Sequence, residues 1–461
     1  MIKIRLTYGL TSLLLLFLAT FHSVRGTLVA QPVLQQDVYL PLIIFPPNVV
    51  TLISATPDGR QGNNDSLGPV ISSDGRYIAF VSLATDLVSD DTNRARDIFV
   101  YDRQLGQITR VPSALSGVQG DGSSDAPALS GDGRLVAFMS QATNLVPNDT
   151  NNQADIFVFD RRTGEIERIS LAVDGTQGNK SSRVPDISDD GRLVAFESRA
   201  TNLVTDDTNE ETDIFVYDRQ SGEIERVSIS TDGVQADKSS LFPAISPDGR
   251  YVSFTSHATN LVDDDTNEAG DIFVHDRVTG ETRRVSIASD GTQSNSWSGS
   301  SSISVGGQLV AFLSNASNLV ADDTNSKDDI FVHDLKTGET VRVSISSDGI
   351  QADRESWSPS LAAQGRYVTF TSSASNLVTD DIRGDDIFVH DLLMYTTTSV
   401  SGIGFDIPAD AYFLGAWMSS ISANGSYVAF TSDLSLPEGD SAYAFRNVFV
   451  RTFVETDGST Q

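Results

Sequence analysis

The chain has 461 residues, no cysteine and a formal net charge of −30 at neutral pH. The lack of cysteine excludes disulfides, thiolate metal sites and a cysteine nucleophile, and the excess of acid excludes the basic surface that a nucleic-acid partner requires. A hydrophobic content of 39% allows a large core, and length alone suggests two or three domains.

The N-terminal segment is typical of an export signal. Residues 1–26 have a basic start, an apolar run and small residues before a plausible cut after Gly26. If that cut is not made, the apolar stretch 6–24 predicts a membrane anchor instead. Residues 27–49 contain four prolines; they predict either an extended spacer or a segment packed along the outside of the folded domain.

Seven similar segments follow the spacer. Each has a glycine-centred turn followed by a run such as RYIAFVS, and the segments start at residues 72, 130, 188, 246, 304, 362 and 422. Each repeat contains four short β-branched and aromatic runs, which predict strands A, B, C and D. Tight hairpins join A to B and C to D, and longer loops join B to C and D to the next A. No window has a sustained helical period.

A repeated four-stranded unit of this length predicts an all-β, seven-bladed β-propeller over residues 50–453, followed by a short tail at 454–461. The last repeat has strands A, B and C, but the chain ends before a strand D. The segment starting at Val50 (VTLISATPDGRQ) matches the D strand and D–A loop of the other repeats. We therefore predict that Val50–Ser54 supplies strand D of the last blade and closes the ring.

The repeats resemble a known family. The run PAISPDGRYVSFTS at Pro243–Ser256, DIFVHD at 271–276 and RRVSI at 283–287 are similar to the TolB-like, WD40-like propeller repeat, and the resemblance covers about residues 50–453. That family implies protein-interaction platforms in the cell envelope, or the propeller of prolyl-oligopeptidase-type peptidases. The chain departs from TolB in having seven repeats rather than six, and it has no preceding α/β domain. It also has no hydrolase domain and no G-x-S-x-G elbow, so the resemblance implies binding rather than peptidase activity.

Five B–C loops share the pattern Asp-Thr-Asn followed by a further Asp. Carboxylates and amide oxygens are the ligands that calcium prefers, although the mid-loop Gly and closing Glu of the EF-hand are missing. The alternative is that these side chains cap turns and that the last Asp holds the start of strand C. The predicted calcium ligands are Asp91, Asn93, Asp97, Asp149, Asn151, Asp155, Asp207, Asn209, Asp213, Asp265, Asn267, Asp271, Asp323, Asn325 and Asp329.

The B–C and D–A loops emerge on one side of the predicted ring, here called the long-loop face; the A–B and C–D hairpins form the short-hairpin face. Function is expected on the long-loop face. Trp297, Trp357 and Trp417 lie in D–A segments. They predict either a stacking platform for a glycan or peptide or packing over the core, since Leu67 and Leu241 occupy the positions that match Trp357 and Trp417.

The sequence leaves two functional hypotheses. The first is an exported, non-catalytic, monomeric platform for a protein partner, secreted, at the cell surface or in the periplasm, touching a membrane only through its N-terminal segment if that is retained. The second is a polysaccharide-binding or polysaccharide-cleaving surface. Against cleavage, the acids recur at equivalent positions, whereas a catalytic pair should break the repeat symmetry. His275, His333 and His390 replace the aromatic residue of DIFVYD on separate blades, too far apart to share a metal.

Overall fold

The computed structural model describes residues 49–111, 118–379, 384–401, 415–434 and 445–453. These residues belong to one compact unit, Pro46–Gln461. The predicted signal, the spacer up to residue 48 and the tail lie outside the described residues. Within the described ranges, no helix is long and apolar enough to cross a membrane.

Alternating β-branched and aromatic residues form strands, and the described residues contain no α-helix and one 3₁₀ turn, Val305–Gly307. The strands are β1 (Val50–Leu52), β2 (Ser66–Ile71), β3 (Tyr77–Ser82), β4 (Asp97–Asp102), β5 (Gln107–Val111), β6 (Ser124–Leu129), β7 (Leu135–Ser140), β8 (Asp155–Asp160), β9 (Ile166–Arg168), β10 (Ser182–Ile187), β11 (Leu193–Ser198), β12 (Asp213–Asp218), β13 (Glu223–Arg226), β14 (Ser240–Ile245), β15 (Tyr251–Ser256), β16 (Asp271–Asp276), β17 (Glu281–Arg284), β18 (Ser298–Ile303), β19 (Leu309–Ser314), β20 (Asp329–Asp334), β21 (Glu339–Arg342), β22 (Ser356–Leu361), β23 (Tyr367–Ser372), β24 (Asp386–Asp391), β25 (Thr396–Ser399), β26 (Ala416–Ile421), β27 (Tyr427–Ser432) and β28 (Asn447–Thr452).

These strands form seven antiparallel four-stranded sheets, and the predicted seven-bladed β-propeller is confirmed. Blade 1 is β2–β5, and each following set of four strands forms the next blade, up to blade 6 (β22–β25). The first strands of neighbouring blades contact one another around the whole ring, from β2 and β6 to β26 and β2. Strand A of each blade is therefore innermost, and strand D is outermost.

The N-terminal strand closes the ring as predicted. In blade 7 the strand order is β1-β28-β27-β26, and β1 pairs antiparallel with β28 through Val50↔Arg451 and Thr51↔Val450. Just after β1, Ser54 Oγ donates to Asn447 Oδ1 at 2.9 Å and accepts the Val448 N–H at 3.0 Å. Strand D of the last blade thus comes from the other end of the domain, and blade 7 has no unpaired outer C strand.

Apolar side chains from adjacent blades form the core. In blade 4, Phe254 of strand B and Phe273 of strand C are opposite each other, with ring centroids 6.0 Å apart. Each of the other six blades has an equivalent phenylalanine pair, at 5.8 to 6.0 Å. One core cluster combines Leu135 of blade 2 with Phe196 of blade 3. Burial of apolar area between blades therefore holds the ring together.

Arginine–aspartate pairs organise the short-hairpin face. Arg250 of the A–B hairpin of blade 4 contacts Asp276, the last residue of strand C, at 2.6 Å. Equivalent pairs occur in four other blades, namely Arg76–Asp102, Arg134–Asp160, Arg192–Asp218 and Arg366–Asp391. The guanidinium groups lower the pKa of Asp160 and of Asp218 to about 2. Acids on the same face thus compensate much of its arginine charge.

Candidate functional site on the long-loop face

The acidic B–C loops are held by a glutamine from the following D–A loop. In blade 3, Gln235 Nε2 donates to Asp207 Oδ1 at 2.9 Å and to Asp213 Oδ2 at 3.0 Å. Its Oε1 accepts the Thr208 N–H at 3.1 Å. Because a backbone N–H can only donate, this bond fixes the orientation of the amide and turns its NH₂ towards both carboxylates. Gln119, Gln293 and Gln351 bridge the corresponding aspartates in the same way.

A buried arginine at the end of strand D supplies positive charge to each loop. Arg226 lies 3.1 Å from Asp206 and 4.0 Å from Asp207, and only 5% of its side chain is exposed. In blade 2, where Gln177 does not bridge the carboxylates, Arg168 contacts Asp149 directly at 3.0 Å. The equivalent arginines in the other three loops are Arg110, Arg284 and Arg342. The excess acid of these loops is therefore partly neutralised from within the blade.

The asparagine and the last aspartate of each motif bond to the protein itself. Asn209 Oδ1 accepts the Glu211 N–H at 2.9 Å, and its Nδ2 donates to the Ala236 carbonyl at 2.8 Å. Asp213 is fully buried at the start of β12 and accepts Ser228 Oγ at 2.5 Å. Burial raises the pKa of Asp213 and raises that of the equivalent Asp97 to about 6.

These contacts fit calcium poorly. Two carboxylates of each motif face amide and guanidinium hydrogens, and the asparagine oxygen is turned to the backbone. Within the described ranges, no three Asp, Glu or His side chains converge closely enough to hold a metal ion. The contacts agree with the alternative in which these residues cap turns and hold the start of strand C; calcium binding stays a prediction.

The three tryptophans each contact other residues of the propeller. Trp297 and Trp357 are partly buried against one core cluster. The ring of Trp297 lies over Gly299, where an added Cβ would approach it to 2.2 Å. Trp417 Nε1 donates to Asp385 Oδ2 at 2.7 Å. These contacts agree with the packing alternative, and ligand stacking on the tryptophans stays a prediction.

Every innermost strand contains one left-handed residue at the same position. In blade 3 it is Val184, with φ of 48°, and in blade 4 it is Phe242, with φ of 53°. A β-branched residue is disfavoured in this region, and the register of strands A and B shifts at the same place. The register shift is a β-bulge. In blade 1 the left-handed position is Gly68, and this glycine was the one feature of the sequence that indicated the bulge. At the equivalent positions of blades 4 and 7, this bulge leaves about half of the Phe242 and Met418 side chains exposed.

Two acids of blade 3 break the repeat symmetry, and sequence analysis did not single them out. Asp186 Oδ2 accepts the Ile245 N–H at 2.8 Å, and Glu197 Oε2 accepts the Phe242 N–H at 3.0 Å, both from strand A of blade 4. Burial raises the pKa of both, that of Asp186 to about 6. At the joint between blades 5 and 6 a hydroxyl replaces the carboxylate of Asp186, because Ser302 Oγ accepts the Leu361 N–H at 3.0 Å. The two acids therefore act as acceptors in the joint between blades.

Glu197 also lines a pocket of about 310 Å³ where strands A and B of blade 3 meet the long-loop face. Three basic residues, Lys180, Arg183 and Arg199, line the same pocket. Lys180 and Arg183 lie three residues apart around the start of strand A, and Arg199 follows strand B, so no single local motif contains all three. A position-by-position comparison of the seven repeats would have revealed the basic set.

No protein-family model matches the sequence, and no match was found among curated proteins. Solved structures do match. The β-propeller domain of the Trilobed protease from Pyrococcus furiosus is 13% identical, with a TM-score of 0.52 over 87% of this chain and 95% of that one. Oligogalacturonate lyase from Vibrio parahaemolyticus is also 13% identical, with a TM-score of 0.50 over 89% and 98%.

TolB from Acinetobacter baumannii is 16% identical, with a TM-score of 0.40, and the match covers 73% of this chain and 63% of that protein. The chain thus spans less than two thirds of that TolB. At these identities the similarities concern the fold alone. The chain is a seven-bladed β-propeller, and TolB proteins are among the solved structures similar to it.

Proposed function

We propose that the chain is an exported, non-catalytic β-propeller that binds a protein partner through its long-loop face, in the cell envelope or outside the cell. The export part of the proposal is supported by the signal-like residues 1–26. The absence of a G-x-S-x-G elbow supports only the part of the proposal that excludes serine-peptidase activity. Because a propeller fold by itself selects no function, the binding part depends on the residues of the face.

One observation carries the binding proposal: the long-loop face combines a constant framework with variable side chains. The glutamine and the arginine that hold the acidic loops recur from blade to blade. In contrast, the second residue of strand A, next to these loops, changes in chemistry around the ring: Leu67, Asp125, Arg183, Leu241, Gly299, Trp357 and Trp417. A rigid scaffold that carries apolar, acidic, basic and aromatic residues at one position of different blades is suited to recognising one asymmetric partner.

Site-specific photo-crosslinking in cells that make the protein tests this proposal. A photoreactive phenylalanine analogue is placed at Val234, an exposed valine of a D–A loop, or at Val278, an exposed valine of the short-hairpin face. We expect Val234 to give a discrete protein adduct that mass spectrometry identifies, and Val278 to give none. Adducts from Val278 alone would contradict the choice of face. Absence of protein adducts from either site, together with retention on a polysaccharide column, would favour the polysaccharide hypothesis instead.

Calcium in the B–C loops is a separate proposal, supported by the clustering of Asp and Asn in five loops. If the ion is bound, a chelator should lower the melting temperature by several degrees and added calcium should restore it. If neither the chelator nor added calcium changes the melting temperature, the proposal is wrong, and the glutamine and arginine contacts alone hold these loops.

A further inference from the structure

We propose that the basic pocket of blade 3 binds the carboxylates of an acidic segment of a partner protein. This inference rests on the proposed function, because it names the chemistry of the partner that the long-loop face recognises. The basic pocket is defined by Lys180, Arg183 and Arg199, with Glu197 and Leu241 also lining it.

The three basic residues come from two segments of the blade. Lys180 lies at the end of the D–A loop, Arg183 is the second residue of β10, and Arg199 directly follows β11. The pairing of Ser182 with Ser198 brings the start of strand A beside the end of strand B. Among the residues that the structure describes, none of the three has an acidic oxygen within 4.0 Å. In a chain with almost twice as many acids as bases, three cations at one pocket without an ion pair are unexpected.

The other blades act as internal controls. The position of Lys180 is occupied by Asn64, Gly122, Lys238, Ser296 and Arg354 in blades 1, 2, 4, 5 and 6, and that of Arg199 by Leu83, Gln141, His257, Asn315, Ser373 and Asp433 in the other six. At the position of Arg183, the other blades have no base. Since the framework of the blade does not require cations at these positions, their coincidence in blade 3 indicates a ligand.

The charges of the pocket favour a ligand with more than one carboxylate. Glu197 is opposite Arg183 in the β10–β11 pairing and is nine-tenths buried. One acid against three bases leaves the pocket with a net positive charge of two. Guanidinium groups bind carboxylates through paired N–H donors.

The lining of the pocket favours a peptide over a sugar. Its remaining residues are small and polar, among them Gln153, Ser181 and Thr212, and none of the lining residues is aromatic. Sugar rings are commonly bound by stacking on aromatic side chains, whereas Asp and Glu side chains need cations and hydrogen-bond donors. The pocket volume of about 310 Å³ suits one or two such side chains of a segment lying across the face.

Fluorescence anisotropy with a labelled hexaglutamate peptide tests the inference on the full chain. We expect binding that weakens with added salt and that weakens by at least about tenfold in the Arg183→Gln/Arg199→Gln double variant. Lys238→Gln, which removes the equivalent of Lys180 from blade 4, is the matched control and should change the Kd by less than about twofold. Arg183→Lys/Arg199→Lys keeps both charges but not the paired donors. A smaller loss of affinity in this variant than in the glutamine double variant would show that the loss reflects charge rather than misfolding.

Two results would overturn the inference. One is equal affinity of the wild-type chain and the double variant, when both melt at the same temperature. The other is binding of hexagalacturonate, an acidic oligosaccharide, without binding of the peptide. A protein partner captured from Val234 whose binding survives the double substitution would leave the proposed function intact while removing this pocket from it.

Discussion

Three buried histidines connect neighbouring blades through threonine. His275 Nδ1 lies 2.8 Å from Thr282 Oγ1, and that hydroxyl donates to the Ile229 carbonyl of the preceding blade at 2.6 Å. Because the hydroxyl has one hydrogen, which the carbonyl takes, Nδ1 must carry the hydrogen of the His–Thr bond. The same arrangement recurs at His333–Thr340 and His390–Thr397.

These histidines predict a loss of stability in mild acid. Burial lowers the pKa of His275 and His390 to about 4, below the value of an unfolded histidine, so their contribution is complete above about pH 6.5 and is lost as the pH falls towards 4. Phe159 faces Ile166 at the equivalent positions of blade 2. We therefore expect His390→Phe/Thr397→Ile to reduce the drop in unfolding free energy between pH 7.5 and 5, measured by urea denaturation, by about 2 kcal/mol. His257→Asn, outside these pairs, is the control; an unchanged drop in the double variant would contradict this assignment.

At the scale of single residues, sequence pattern predicted the positions of these histidines but not their partners. The threonines are found only from the register of strands C and D, which the hairpin sets. The left-handed residues of strand A were not predictable either, because Val184 and Phe242 belong to residue types that avoid this conformation. Packing of the innermost strands against one another overrides that preference.

The glutamine of the D–A loop predicts a measurable stabilisation of its B–C loop. We expect Gln235→Leu to lower the free energy of unfolding by about 1 to 3 kcal/mol, because it leaves Asp207 and Asp213 without their amide donor. The control is Gln177→Leu in blade 2, where the amide donates to the Asn148 carbonyl rather than to the two carboxylates. Urea denaturation of both variants measures the difference, and equal losses would contradict the bridging role.

At the scale of elements, sequence located the strands, hairpins and acidic loops because each signal is local. The contacts within the loops were not local. Gln235 follows Asp213 by 22 residues, and its side chain joins the D–A loop after blade 3 to the start of strand C of that blade. Its importance depends on which end of the amide faces the carboxylates, and that orientation is set by the Thr208 N–H. A pattern of Asp and Asn alone therefore could not distinguish ligands for an ion from acceptors for an amide.

Closure of the ring predicts that a covalent link between its first and last strands stabilises the entire domain. The chain has no native cysteine, so Thr51→Cys/Val450→Cys, at a directly opposed pair, can form one disulfide only. We expect the oxidised form to exceed the reduced form in unfolding free energy by about 2 to 4 kcal/mol. Thermal melting of the same protein with and without reductant measures the effect. Identical melting of the two forms would show that opening of this blade is not the first step of unfolding.

For the molecule as a whole, the sequence was sufficient for the architecture. Seven repeats of nearly constant spacing, together with a matching strand at Val50, predicted the blades and their closure. The basic pocket was not predicted, because Arg199 meets Lys180 and Arg183 only in the folded blade. The spacing of the repeats identifies the residues that all blades share, whereas the proposed binding of a partner depends on residues that differ between blades.

The pairing of Val50 with Arg451 also has a consequence for the order of events during synthesis. The ribosome makes β1 first and its partner β28 last, so at about 5 to 20 residues per second the first strand waits for tens of seconds before its partner exists. During that interval six blades can form, but blade 7 cannot, and the row of backbone groups on β1 is free to pair wrongly. A chaperone that shields this short strand would therefore act on the beginning of the chain to protect a step that occurs at its end.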